Sequence, residues 1–315
     1  MINVVGVDDI NRQAVLQAIR ADFGQLTGPA GFDLPWEPNG DASAARDDDG
    51  LRHIGLAAPP RLHVLAELIA NAATHRTTTQ FSAAIGDGGQ VEGVMAYIPH
   101  SLVLMAGHES CAERFAKLMH RASWRVVMGD ESLTYEALDR WRRRSWWVPA
   151  FRTRRQCFMV STGPPLVAPG SDANYRVAMA QDVEDIVHLS AVLHVDDQMG
   201  PPLSAGAIDT LRIRVAETIA QGRTWVMDEG GRAVAKFDIH NLSLTYGAQL
   251  SGVVVHEDYR GRGLGTRLVA NAIADLLRVG VPQITLHLRE GNAVAVRAYE
   301  KAGMHKAGHQ LMAIM

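Results

Sequence analysis

Hydrophobic and polar positions divide the second half of the chain into a regular series of strands and helices. Trp225 to Asp228 and Arg232 to His240 flank Glu229-Gly230-Gly231, which predicts a hairpin. Gln249 to Val255 predicts a strand that closes on three consecutive valines. Leu264, Leu268, Val269, Ala272, Ile273, Leu276 and Leu277 recur at helical spacing, and Gly280 with Pro282 ends that helix. Ile284 to Leu288 alternates as a strand. Upstream, Tyr175 to Met179 reads as a short strand, Asp182 as the cap of a helix through Ser190, and Asp209 to Gln221 as a second helix.

The first half is patterned less evenly. Arg12 to Phe23 and Arg61 to Ala73 read as helices, the latter amphipathic through Leu62, Leu65, Leu68 and Ile69. Phe81 to Ile85 and Val91 to Ile98 form a hairpin across Gly86-Asp87-Gly88-Gly89. Ser101 to Met105, Trp124 to Met128 and Gln156 to Val160 read as strands, and Cys111 to Ala122 and Thr134 to Arg144 as helices. Gly28 to Pro60 is rich in Gly, Pro and Asp and reads as a long irregular segment. Pro and Gly cluster again at Thr162 to Pro165 and at Pro169 to Ser171, the density of a linker. The expected division is therefore a mixed α/β domain over 1–165 and a second domain over 166–315.

Composition narrows the class. The chain has 315 residues, 47% hydrophobic and 21% charged, the balance of a globular α/β protein. The most apolar stretch, Val91 to Gly107, is interrupted by Glu92, Pro99 and His100, so no membrane span is expected. Met1 to Ile10 carries Asp8 and Asp9 and lacks a basic-then-apolar leader, so a cytoplasmic location is expected. Cys111 and Cys157 are too few for a disulfide framework or a thiolate metal site, and no metal is expected. A net charge of −3 gives no global attraction to nucleic acid.

The chemistry concentrates at one junction. Val253-Val254-Val255 runs through His256-Glu257-Asp258-Tyr259 into Arg260-Gly261-Arg262-Gly263-Leu264-Gly265-Thr266, and the helix opens there. Glycines at this density let backbone N–H groups approach a phosphate at a helix N-terminus. Arg260 and Arg262 add permanent positive charge. A P-loop would need Gly-Lys-Ser/Thr at its end, and this loop closes on Gly265-Thr266. A dinucleotide fingerprint would need a small third residue where Leu268 or Thr266 stands. What remains is a diphosphate-bearing ligand of another kind.

The pattern Arg-x-x-Gly-x-Gly, read at Arg260, Gly263 and Gly265, resembles the acetyl-coenzyme A signature of the GNAT N-acetyltransferases. A second stretch, Asn292, Ala295, Tyr299, Gly303 and Met304, is similar to the family's later motif, with Met304 where the family usually has Phe. The order from about residue 150 onward also resembles bacterial tandem GNAT proteins, in which a degenerate first copy precedes a catalytic one. The resemblance implies a GNAT fold with splayed central strands in the C-terminal domain and a degenerate GNAT-like unit before it. It implies acetyl-CoA as cofactor, with pantetheine along Val253, Val254 and Val255. The diphosphate would lie on Arg260, Gly261, Arg262, Gly263, Leu264, Gly265 and Thr266, and Asn292 and Tyr299 would line the site. Tyr299 is the expected general acid for the departing thiolate, and Asn292 the expected cap of its helix. The implied activity is direct transfer of acetyl to an amine acceptor of open identity. A non-catalytic acyl-CoA sensor is the alternative, because Gln249 and Ser251, the inward positions of the key strand, are not bases. His240, Asp238, His194, Asp196 and Asp197 are the other groups considered for that task. A homodimer is compatible with the sequence.

One further run, Arg140-Trp141-Arg142-Arg143-Arg144-Ser145-Trp146-Trp147 with Arg152, Arg154 and Arg155, mixes basic and aromatic side chains. It admits a nucleic-acid reading. The preferred reading is a helix with a charged outer face and aromatic residues turned inward.

Overall fold

The computed structural model describes residues 3–6, 79–144, 149–168, 174–197 and 199–315. The helices expected at 12–23 and 61–73, the irregular segment 28–60, Ser145, Trp146 and Trp147, and the linker residues 169–171 lie outside the described residues. By internal contacts the chain forms two compact units, Met1–Phe158 with Ala307–Met315, and Met159–Lys306. The break falls ahead of the Pro-rich segment rather than within it, and the last nine residues of the chain return to the first unit.

In the first unit, β1 (Asn3–Gly6), β2 (Gln80–Ile85), β3 (Val91–Ile98) and β4 (Leu102–Gly107) follow one another as antiparallel neighbours. Helix α1 (Ala112–His120) then carries the chain to β5 (Val126–Asp130), which lies parallel to β4. Helix α2 (Glu131–Arg144) follows, and β6 (Arg152–Ser161) leads into the second unit. Gln310 to Ile314, from the last strand, pair antiparallel with β5. Phe115 and Met119 of α1 and Leu133, Ala137 and Trp141 of α2 pack on Val103, Met105 and Val127 of the strands. These are the apolar positions at helical spacing, and their burial is what holds helices of this length in place.

The second unit contains β7 (Tyr175–Val177), α3 (Val183–Asp196), α4 (Ala205–Ala220), β8 (Thr224–Glu229), β9 (Arg232–Ser243) and β10 (Gly247–Val255). After these come α5 (Leu264–Arg278), β11 (Ile284–Arg289) and α6 (Ala293–Ala302), and β12 (His305–Ile314) carries the chain back into the first unit. Its strands lie in the order β11-β10-β9-β8-β7, with β10 and β11 parallel and the remaining pairs antiparallel. Ile186 and Val187 of α3 and Val215 and Ile219 of α4 cover Val226 and Ala233. Helix α5 buries Leu264, Leu268, Val269, Ala272, Ile273 and Leu276, the face read from the sequence.

Asp182 occupies the cap position of α3, but its side chain does not bond into the helix. Its carboxylate, 1% exposed, accepts from the Met179 N–H at 2.7 Å and from both Arg176 guanidinium nitrogens at 2.6 and 2.9 Å. Arg176 also reaches Asp228 on β8 at 2.7 Å. The residue thus ties β7 and β8 to the start of α3. Burial alone would raise the Asp182 pKa; the Arg176 and Met179 hydrogen bonds outweigh it and hold the carboxyl below its ordinary value.

Candidate functional site

Strands β10 and β11 pair from Ala248↔Ile284 to Leu250↔Leu286 and then part, although each continues beyond that point. On its other side β10 stays paired with β9 as far as Val255↔Ala235. Between Ser251 and Val254 that register slips, and Gly252 takes a left-handed φ of +60°. This is a β-bulge, which bends a strand and increases its twist. The bend sends Val253, Val254 and Val255 away from β11. On that edge of β10, Val253 to Val255 have no partner on β11, which leaves a cleft between the parted strands.

The bulge rests on a charged pair. Lys236, 3% exposed, places its ammonium 2.5 Å from Asp238 Oδ2, and Asp238 Oδ1 accepts from the Thr224 hydroxyl at 2.8 Å. Lys236 lies opposite Val254 and Asp238 opposite Ser251, one on each side of the bulge. A glycine inside a strand is a sequence signal for such a feature.

Beyond Val255, a 3₁₀ turn over Glu257–Tyr259 leads into the glycine loop. Gly261 and Gly263 adopt φ of +77° and +76°, so both need glycine for their backbone shape. A Cβ at either would meet nothing within 4 Å, so the loop opens onto free space. Arg267 donates the first amide bond of α5, to the Gly263 carbonyl. The amides of Leu264, Gly265 and Thr266 precede it and have no carbonyl of their own helix to bond. With the positive end of the α5 dipole they form an anion-binding concavity. The open space, the left-handed glycines and the first-turn amides suit a diphosphate.

The two arginines of the loop have definite partners. Arg260 reaches the Val255 carbonyl at 3.1 Å and Asp196 at 2.7 Å, which ties the loop to the end of α3. Arg262 reaches the Asp258 carbonyl at 2.8 Å and lies 4.9 Å from the centre of the Tyr259 ring. His256 is packed among rings, 5.4 Å from His188 and 5.7 Å from Tyr259.

Asn292 Oδ1 accepts from the Ala295 N–H at 3.1 Å and so caps α6. Tyr299, on the same helix, is 8% exposed. Burial, and then the charge of Asp197, push its pKa upward, which keeps the phenol protonated. Gly303 ends α6 at φ +109°, with Pro164 and Pro165 packed where a side chain would stand.

Several candidate bases are already engaged. Asp196 is held by Arg260 and Asp238 by Lys236 and Thr224. Gln249 is buried and its amide meets His287 Nδ1 at 2.8 Å. His194 lies in the last turn of α3. His240, on β9, faces a pocket of about 190 Å³ together with Arg223, Asp238 and Ser251. Sequence reasoning passed over Arg223, because it lies just before β8 and only the register of β8 on β9 sets it beside His240.

Three of the four arginines of α2 meet carboxylates: Arg140 with Glu136, Arg143 with Asp139 and Arg144 with Glu113. Arg155 meets Glu131. Trp141 is buried against Trp124 at 5.0 Å and Phe151 at 5.9 Å. This is a charged outer face over an aromatic core. Cys111 and Cys157 are buried and not joined in a disulfide. Among the described residues no group of three or more His, Cys, Asp or Glu side chains could hold a metal ion. Among the same residues no helix is long and apolar enough to cross a membrane.

Residues 196–304 match the family model described as Acetyltransferase (GNAT) family. Over 60 residues the chain is 37% identical to the ribosomal protein bS18 alanine N-acetyltransferase of Escherichia coli (strain K12), covering 19% of this chain and 40% of that protein. Over 71 residues it is 32% identical to an acetyltransferase of Yersinia pestis (strain Pestoides F), covering 22% of this chain and 46% of that one. The match thus spans less than half the length of these curated relatives. A GCN5-related N-acetyltransferase from Sphaerobacter thermophilus superposes with a TM-score of 0.53 at 16% identity, covering 99% of this chain and 94% of that chain. A tandem GNAT protein from the clavulanic acid biosynthesis pathway superposes with a TM-score of 0.50 at 14% identity, covering 100% and 98%. At these identities the likeness to the solved structures is one of fold. Over residues 196–304, then, this chain carries a domain of the acetyltransferase (GNAT) family.

Proposed function

We propose that the second unit is an acetyl-CoA-dependent N-acetyltransferase that passes acetyl directly to an amine, and that it works in the cytoplasm. The observation that carries this reading is the parting of β10 from β11 after Leu250, directly before a left-handed glycine loop that caps α5. Backbone groups of Val253 to Val255 would hold the pantetheine. Gly261 to Thr266 would hold the diphosphate through main-chain amides. Arg260 and Arg262 would shape that loop through Asp196 and Tyr259 while adding positive charge to it. An amide near the bulge would polarise the thioester carbonyl. The cofactor supplies an activated acetyl group; Tyr299 would return a proton to the departing sulfur. The first unit also places a helix between parallel strands, β4-α1-β5, but its β4–α1 connection runs His108 to Cys111 without a glycine loop. We read it as a GNAT-like copy without a cofactor.

Titration calorimetry of the full chain with acetyl-CoA should show saturable binding, and a thiol-release screen across amines should find turnover. Absence of both heat and thermal shift at saturation would end this reading. Binding without turnover on any amine would favour an acyl-CoA sensor, the reading supported by the lack of an acid or base at Gln249 and Ser251.

A further inference from the structure

The pocket beside the bulge has a lining that bears on the acceptor. Its walls come from Thr218 and Gln221 at the end of α4, Arg223 before β8, Asp238 and His240 on β9, and Ser251 on β10. Ser251 stands just past Leu250, the last residue of β10 paired with β11, and two before Val253, so pocket and cleft share one strand. Asp238 is spoken for by Lys236 and Thr224. Arg223 is exposed, and its guanidinium makes one long bond, 3.4 Å, to the His240 carbonyl. The pocket therefore presents one available cation and one imidazole. His240 is exposed in area yet crowded by neighbouring atoms, as a side chain on a pocket rim can be. Crowding first, and Arg223 second, lower its pKa below the ordinary 6.5, and Asp238 acts the other way. The ring is then mostly neutral at pH 7 and able to take a proton.

We propose that this pocket takes the acceptor, that the acceptor is a small amine bearing a carboxylate, of the amino-acid type, and that Arg223 binds the carboxylate while His240 accepts the amine proton. This rests on the acetyltransferase reading above. The new C–N bond forms between the amine nitrogen and the acetyl carbon as the thioester C–S bond breaks. One proton passes from nitrogen to His240, and Tyr299 gives one to the sulfur. A volume of about 190 Å³ has room for a small amino acid. A guanidinium at the rim recognises a carboxylate through paired N–H groups.

The test uses the full chain in two measurements. The common amino acids are compared with their decarboxylated amines by thiol release with acetyl-CoA. In parallel, the His240 ring resonances are followed by NMR as each common amino acid, L-alanine first, and then its decarboxylated amine is added without acetyl-CoA. Expected are a preference of at least tenfold in kcat/KM for one or more carboxylated members and movement of the His240 resonances with those members and not with their decarboxylated amines. Arg223→Gln should abolish both, and Arg223→Lys should restore part of each. Equal rates across every pair, or His240 resonances unmoved by every amino acid tried, would overturn the acceptor assignment while leaving acetyl-CoA binding intact. If amino acids move His240 but acetyl-CoA gives neither heat nor thermal shift, the pocket stands and the acetyltransferase reading fails.

Discussion

The Lys236 ammonium lies 2.7 Å from the point that a Cβ on Gly252 would occupy, and Asp238 Oδ2 lies 2.8 Å from the same point. A buried ion pair and a strand glycine therefore share one space. Gly252→Ala would combine left-handed strain with a steric conflict that displaces the ends of both paired side chains. The expected cost is about 3 kcal/mol, read as a fall in melting temperature of roughly 6–12 °C. Because the bulge opens the cleft, acetyl-CoA affinity measured well below the melting temperature should fall as well. Unchanged melting and binding would show that the bulge tolerates a side chain.

Gly263→Ala separates shape from packing. Its Cβ meets nothing within 4 Å, so the substitution should destabilise only through the left-handed backbone, by about 1–2 kcal/mol. The amides that follow depend on that backbone, and acetyl-CoA affinity by calorimetry should drop about tenfold. Full affinity would remove the loop from the binding site.

Tyr299→Phe deletes one hydroxyl from a buried ring. With thermal stability close to wild type, kcat should fall about 100-fold if the phenol donates the proton to sulfur. Its raised pKa means that ionisation of Tyr299 should not itself produce a fall in rate over the moderately alkaline range. A rate equal to wild type would take Tyr299 out of the mechanism.

His240 sets a limit on the acid side. Its neutral form accepts the proton, so kcat/KM reckoned on the neutral amine should be full above the folded-state pKa and lost as pH falls through it, at a value below 6.5. His240→Gln should lower the plateau and flatten that limb. A limb of unchanged position and depth in the variant would assign it to another group.

Asp182→Asn tests the tie among β7, β8 and α3. The folded carboxyl has a lowered pKa, so the unfolded chain binds the proton more readily. The stabilisation is full above the ordinary value of 3.8 and is lost as pH falls through the lower folded value. The variant should lose about 3 kcal/mol at pH 7 and less at pH 3 in denaturant melts. An equal loss at both pH values would exclude an ionic origin.

Local pattern carried the elements further than it carried their assembly. The helix opening at Leu264, the hairpin across Gly230 and the strand ending at Val255 all rest on periodicity and turn residues within a few positions of one another. The glycine loop was legible for the same reason, since its chemistry is written in consecutive residues. Asp182 was read as a helix cap because the sequence does not show that Arg176, six positions earlier, is drawn between it and Asp228 on β8. Lys236 and Asp238 look like ordinary alternating polar residues until strand register sets them beside Gly252. Arg223 and His240 lie 17 positions apart in the chain, and the antiparallel register of β8 on β9 sets them side by side. Which body the final strand would join was also beyond reach, because strand pairing is a long-range choice.

The return of Ala307–Met315 to the first unit makes the second an insertion, entered at Met159 and left at Lys306. No single cut can therefore release either unit intact. Trimming the tail should be felt first at Val126–Asp130, whose edge would lose its neighbour, rather than in the cleft.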